Sequence, residues 1–144
     1  MPSTYAVCEK CGQVNKITLG TERDPICGSC KAPLAVHKSI VTGSDNTLAK
    51  LIAKSPIPVV VDVWAPWCGP CRAFAPTFEA ASDERAGQLV FVKLNSDEHQ
   101  KLPGVWGIRG IPSLIAFKQG KEIERISGAL PQPQFLSWLD KVLA

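Results

Sequence analysis

From residue 39 onward the apolar positions switch between helical and strand spacing. Ser44-Asp45 offers a helix N-cap, and Leu48, Leu51 and Ile52 follow on one helical face. That helix ends before Ser55-Pro56, because a residue preceding proline avoids helical backbone. Residues 57–64 read as a strand, in which Val59-Val60-Val61 and Val63 make the β-branched run of a strand covered on both faces. A long helix is predicted from Cys68–Pro70 to Ala86, with a kink at Pro76, which lacks a backbone donor. Residues 89–94 predict the next strand, and residues 97–102 a short helix stopped by Pro103-Gly104. Residues 114–117 and 122–126 flank Lys118-Gln119-Gly120-Lys121 as an antiparallel hairpin. A last helix over 131–143 places Phe135, Leu136, Leu139 and Leu143 on one face. This order predicts an α/β fold, a central mixed sheet flanked by helices.

Residues 1–38 have another texture, with short polar turns and few large apolar residues. Val7, Val14, Ile17, Leu19, Ile26, Leu34 and Val36 are too few to form a core. Segments below about 40 residues usually need a metal, disulfides or a partner to fold. The chain therefore divides into a small domain over 1–38 and a larger one over 39–144. The 45% hydrophobic content over 144 residues excludes a disordered chain. A net charge of +3 is too small to announce a nucleic-acid binder. No apolar stretch reaches the ~18 residues of a membrane span. The opening residues lack a charged stretch followed by an apolar one, so no signal peptide is expected, and the location is expected to be cytoplasmic. A monomer is expected.

Six cysteines change this picture most. They fall into Cys8-Glu9-Lys10-Cys11, Cys27-Gly28-Ser29-Cys30 and Cys68-Gly69-Pro70-Cys71. Without a secretory signal, metal binding or redox chemistry outweighs a disulfide framework. The third pair follows a buried strand and opens a helix, and it is expected at the surface. At a helix N-terminus, unpaired N–H groups and the macrodipole stabilise a thiolate. Cys68 is therefore the expected nucleophile, and Cys71, one turn in and more buried, the resolving cysteine. Gly69 and Pro70 set the turn that spaces the two sulfurs, and proline is tolerated there without its N–H. Asp62 stands on the apolar strand just before, where a core-facing carboxylate has a raised pKa.

Cys8-x-x-Cys11, fifteen residues, then Cys27-x-x-Cys30 is the spacing of a structural four-cysteine zinc site. Gly12, Gly28 and Pro33 supply its turns. Two further redox pairs, or one or two disulfides, are the alternatives. A zinc ribbon can bind nucleic acid, but residues 1–38 hold only five basic side chains against three acidic ones. Four thiolates with one Zn²⁺ would bring the segment to neutrality, and no basic stripe with interleaved aromatics is present. His37 reads as an interdomain or surface residue and His99 as solvent-exposed.

Trp64-Ala65-Pro66-Trp67-Cys68-Gly69-Pro70-Cys71 resembles the active-site signature of the thioredoxin family, and the resemblance runs from Ser39 to Ala144. It implies the thioredoxin fold and thiol–disulfide exchange on protein disulfides. By the same resemblance Asp62 accepts and returns the proton of Cys71, and Lys93 tunes Asp62; a solvated strand-end lysine is the other reading. Pro112, which marks either a strand start or a cis peptide, matches the family's cis-proline opposite the cysteines. Ser113 stands where the family more often has threonine. Trp67, Ile111, Gly128 and Ala129 match the rim on which an extended substrate docks. The family also implies recharging by an NADPH-dependent thioredoxin reductase. No Gly-rich dinucleotide fingerprint occurs, so no bound organic cofactor is expected.

The ribbon joined to a Gly-Pro active site, with Pro66, Arg72 and Phe74-Ala75-Pro76, is similar to the bacterial zinc-containing thioredoxins. That resemblance implies a redox-sensitive ribbon, with zinc released on oxidation. The expected function is a protein-disulfide reductase with one structural zinc. The alternative is a non-catalytic binding or assembly module using the same surfaces.

Overall fold

Residues 2–144 are described by the computed structural model. Short polar turns divide its first segment into β1 (Ser3–Val7) and β2 (Val14–Thr18), an antiparallel pair matching Ser3 to Thr18 and Val7 to Val14. Then come β3 (Val36–His37), β4 (Ile40–Thr42), α1 (Asp45–Lys54), β5 (Val59–Trp64), α2 (Gly69–Glu84) and β6 (Val90–Asn95). The chain ends with α3 (Lys101–Val105), β7 (Ser113–Lys118), β8 (Lys121–Ser127) and α4 (Gln132–Leu143). A six-stranded sheet runs β3-β4-β6-β5-β7-β8. β4 and β5 lie parallel to β6, whereas β7 is antiparallel to β5 and to β8. The sheet is mixed and flanked by helices, as the alternating pattern predicts.

Strand alternation sorts the core into two layers. Val59, Val61 and Val63 face Leu48, Leu51 and Ile52 of α1. Val60 faces the other way, towards Phe74 and Phe78 of α2 and Phe135, Trp138 and Leu139 of α4. Phe135 meets Phe74 edge-on with centroids 5.1 Å apart. β5 is thus buried on both sides, which accounts for its run of valines. By the same alternation Asp62 shares the α2/α4 side with Val60. It pairs in register with Lys93 on β6.

The first segment is docked on this frame. Ala6 and Val7 of β1 join the same buried cluster as α1. The Ser44 hydroxyl accepts the Thr47 N–H at 3.0 Å as N-cap of α1 and donates to the Glu9 carboxylate at 2.6 Å. Lys50 Nζ donates to the carbonyl of Gly12.

Several elements differ from their sequence expectation. α3 begins at Lys101 rather than Asp97 and runs through Pro103-Gly104. Asn95 takes over the preceding residues, its side-chain oxygen accepting the Asp97 N–H at 3.0 Å as a turn. Pro103 then falls in the first helical turn, where no N–H is needed. α2 runs through Pro76, as expected, but ends at Glu84, short of Ala86. On α4, Trp138 and Val142 are buried with Phe135 and Leu139, while Leu136 and Leu143 are only half-buried.

Candidate active site and metal cluster

β5 ends at Trp64, and three residues of loop deliver Cys68 as the N-cap of α2. Gly69 and Pro70 fill the first two helical positions, where a missing N–H costs nothing. The backbone N–H of Cys71 donates to Cys68 Sγ at 3.2 Å. The two sulfurs are disulfide-bonded at 2.32 Å. Cys68 is 4% exposed and Cys71 1% exposed, so the pair is less open than the sequence suggests. Trp64 and Ile111 pack over it together with Ala65. Trp67 instead stands out at 68% exposure, its indole N–H donating to Asp97 Oδ1 at 3.1 Å.

Facing the pair is the loop that enters β7. The Ile111–Pro112 peptide is cis, and Cys68 Sγ lies 3.8 Å from the Ile111 carbonyl. Gly128 follows β8 with φ +103°, a conformation that favours glycine, and its N–H reaches the Pro112 carbonyl at 2.7 Å. Ile111 and Gly128 are half-buried, and Ala129, Gly69 and Pro70 are exposed. A groove of about 230 Å³ runs from Trp67 past Pro103 and Ile108 to Ile111.

Asp62 is fully buried, and neither carboxylate oxygen has a hydrogen-bond partner among the described residues. Burial pushes its carboxyl up to about 7, against the opposing pull of Lys93. Lys93 is half-buried, with its ammonium 4.6 Å from the centroid of the Trp64 ring.

The other four cysteines meet in the first segment. Cys8 and Cys11 lie on the turn after β1, and Cys27 and Cys30 on a matching turn. In each, the N–H following the second cysteine donates to the first cysteine's carbonyl: Gly12 to Cys8 at 2.9 Å and Lys31 to Cys27 at 3.0 Å. All four sulfurs lie within 4.8 Å of one another. Cys8 and Cys30 are 3.6 Å apart, and Cys11 and Cys27 3.5 Å. A tetrahedral ion with bonds of about 2.3 Å spaces its sulfurs about 3.8 Å apart, so the cluster fits a metal ion. The backbone N–H of Cys30 favours the Cys27 thiolate and lowers that thiol to about 6; the N–H of Cys11 lowers Cys8. At Cys11 an N–H from Gln13 also favours the thiolate. Desolvation and the sulfurs of Cys27, Cys30 and Cys8 outweigh it and push Cys11 up to about 11. Like charges at this spacing cannot all ionise without a cation between them.

His37 is exposed, as expected, whereas His99 is half-buried and accepts the Asp45 N–H at 3.4 Å. Two contributors had no sequence signal. Asp97 anchors the Trp67 indole, and Asp45 accepts the N–H groups of Lys101 and Leu102 at 3.1 and 2.8 Å, fixing α3 beside the groove. Both depend on residues distant in the chain, which no local pattern reports.

Comparison with known proteins adds a family. The family model described as Thioredoxin matches residues 39–141. A chloroplastic M-type thioredoxin of Chlamydomonas reinhardtii is 42% identical over 69% of this chain and 71% of its own length. Thioredoxin 1 of Synechococcus elongatus is 41% identical over 69% of this chain and 94% of its own. Thioredoxin C-3 of Corynebacterium nephridii is 34% identical over 95% of this chain and 94% of its own, so that likeness takes in the four-cysteine segment.

Proposed function

This chain belongs to the thioredoxin family, and on that premise we propose that it reduces protein disulfides by ordered attack of Cys68 and then Cys71. Thiol–disulfide oxidoreductase activity itself follows from the family and from a Cys-x-x-Cys pair at disulfide distance. The order of attack rests on one observation: Cys68 caps α2 and its sulfur receives the Cys71 N–H at 3.2 Å. That N–H and the helix dipole stabilise a thiolate on Cys68.

In the reduced protein the Cys68 thiolate attacks one sulfur of a substrate disulfide. A Cys68–substrate disulfide forms, and the other substrate sulfur leaves as a thiolate that takes a proton. Asp62, partly ionised at neutral pH because its carboxyl titrates at about 7, accepts the Cys71 proton in its ionised form, directly or through water, and Lys93 favours that form. Cys71 then attacks Cys68, forming the Cys68–Cys71 disulfide and releasing the second substrate thiolate. During attack an extended substrate segment pairs with the backbone at Ile111, beside Pro112 and against Trp67, Gly69, Pro70, Gly128 and Ala129. An NADPH-dependent thioredoxin reductase returns two electrons to the pair. The protein works in the cytoplasm as a monomer and uses neither nucleic acid nor membrane.

Cys8, Cys11, Cys27 and Cys30 hold one Zn²⁺ in the ribbon over 1–38, beside a catalytic domain over 39–144. The ion's chemistry there is to neutralise and cross-link four thiolates in a closed site. Oxidation of two of these thiolates to a disulfide by peroxide would leave too few ligands to hold the ion. A ribbon that is redox-sensitive in this way would release zinc before peroxide inactivates Cys68, and no release before that point contradicts it.

Insulin-disulfide reduction tests the proposal. Wild type is active and Cys68→Ser abolishes turnover. Activity independent of Cys68 overturns the proposal and favours a non-catalytic docking module.

A further inference from the structure

The groove beside the active disulfide has apolar walls and one charge. Trp67, Pro103, Ile108 and Ile111 line it, and Arg109 is the only charged residue among its described lining. Arg109 is exposed, and no carboxylate lies within 4.0 Å of its guanidinium among the described residues. Asp97, which accepts the indole N–H of Trp67, is not among the residues lining the groove. Arg72, one residue past Cys71 on α2, is exposed but lies outside the groove lining.

A guanidinium on an apolar wall is suited to one kind of ligand. Its planar fork pairs with a carboxylate through two parallel hydrogen bonds, and its weak hydration lowers the cost of doing so. Arg109 stands two residues before Ile111, whose carbonyl faces Cys68 Sγ at 3.8 Å. An extended segment returns its side chains to one face every second residue. Arg109 and Ile111 line one groove, so an extended substrate segment paired at Ile111 and continuing along it brings a side chain about two residues from its reacting cysteine towards Arg109.

We propose that Arg109 is a specificity-determining residue, selecting disulfides that carry an Asp or Glu about two residues from the cysteine attacked by Cys68. This rests on the docking reading given above. Arg109 acts at encounter and docking, before any bond is broken, so its effect falls on kcat/KM and is screened by salt. For a solvent-exposed pair the expected preference is about three- to five-fold at low ionic strength.

The test uses two disulfide-bonded peptides that differ only in Glu or Lys two residues from the cysteine, with kcat/KM measured for the full chain. Wild type favours the Glu peptide at low salt, and the preference collapses in concentrated NaCl. Arg109→Gln abolishes it, and Arg109→Glu inverts it towards the Lys peptide. Lys141→Gln, a remote change of equal charge, keeps it. A preference that survives Arg109→Gln, or that falls with Lys141→Gln or Arg72→Gln instead, overturns the assignment. Equal rates on both peptides by wild type overturn the role of Arg109 alone. Reduction of neither peptide overturns the reductase proposal beneath it.

Discussion

Asp62 sits in a strand of valines, with no donor for either carboxylate oxygen among the described residues. A lone charge there is costly, so the proton stays on until about neutral pH. The folded carboxyl titrates at about 7, against an ordinary value of 3.8. Stability linked to this group is therefore fully present below pH 3.8 and is lost as pH rises through 7. At about 1.36 kcal/mol per pH unit, the loss approaches roughly 4 kcal/mol. Asp62→Asn, which never ionises, should lie nearest to wild type around pH 4. It should exceed wild type by a few kcal/mol in urea unfolding at pH 8. A difference that does not change with pH contradicts burial as the cause. The same substitution should slow release of the Cys68 mixed disulfide by about a hundredfold, the lower range for loss of a general base. Lys93 pulls the other way, so Lys93→Met should move the inflection of the stability profile to higher pH.

Among the elements, α1 carries the most unexpected load. Its cap, Ser44, closes the helix through Thr47 and also holds Glu9 of the first cysteine turn. Ser44→Ala should cost about 1–2 kcal/mol in urea unfolding, the upper range for a lost cap. A loss of only about 0.5 kcal/mol, the low end for a cap alone, would mean that the Glu9 contact contributes nothing. α1, β5, α2 and the β7–β8 hairpin were legible because each announces itself within a dozen residues: a cap before a periodic face, a valine run, a helix after Cys68, a polar turn between strands. β3 and β4 are two and three residues long, too short for any period to show; β4 forms on the edge that β6 offers, and β3 on the edge of β4. α3 was misplaced because Asn95 captures the acidic residues that otherwise suggest a helix start. The Cys68–Cys71 pair is legible from its place between strand and helix. Ile111 is placed beside it only by the family resemblance, and the cover by Trp64 has no sequence signal, since it meets the pair only in three dimensions.

At the scale of the whole molecule, the four-cysteine segment is tied to the larger core through Ala6 and Val7 of β1. Loss of metal should therefore weaken the entire chain. A strong chelator under reducing conditions should remove one zinc per chain and lower the thermal midpoint, by about 4 °C for each kcal/mol lost. Substantially less than one zinc in reduced protein contradicts the assignment of Cys8, Cys11, Cys27 and Cys30. The four-cysteine cluster and the Cys68–Cys71 pair are thus separate centres on one frame, each packed in its own small cluster. The ordered attack is tested most directly by mass analysis of Cys71→Ser after reaction with a disulfide-bonded peptide. One peptide should be found in covalent linkage to Cys68, released by added dithiol. Failure to trap any peptide, or a peptide attached at another cysteine with Cys68 free, would contradict it.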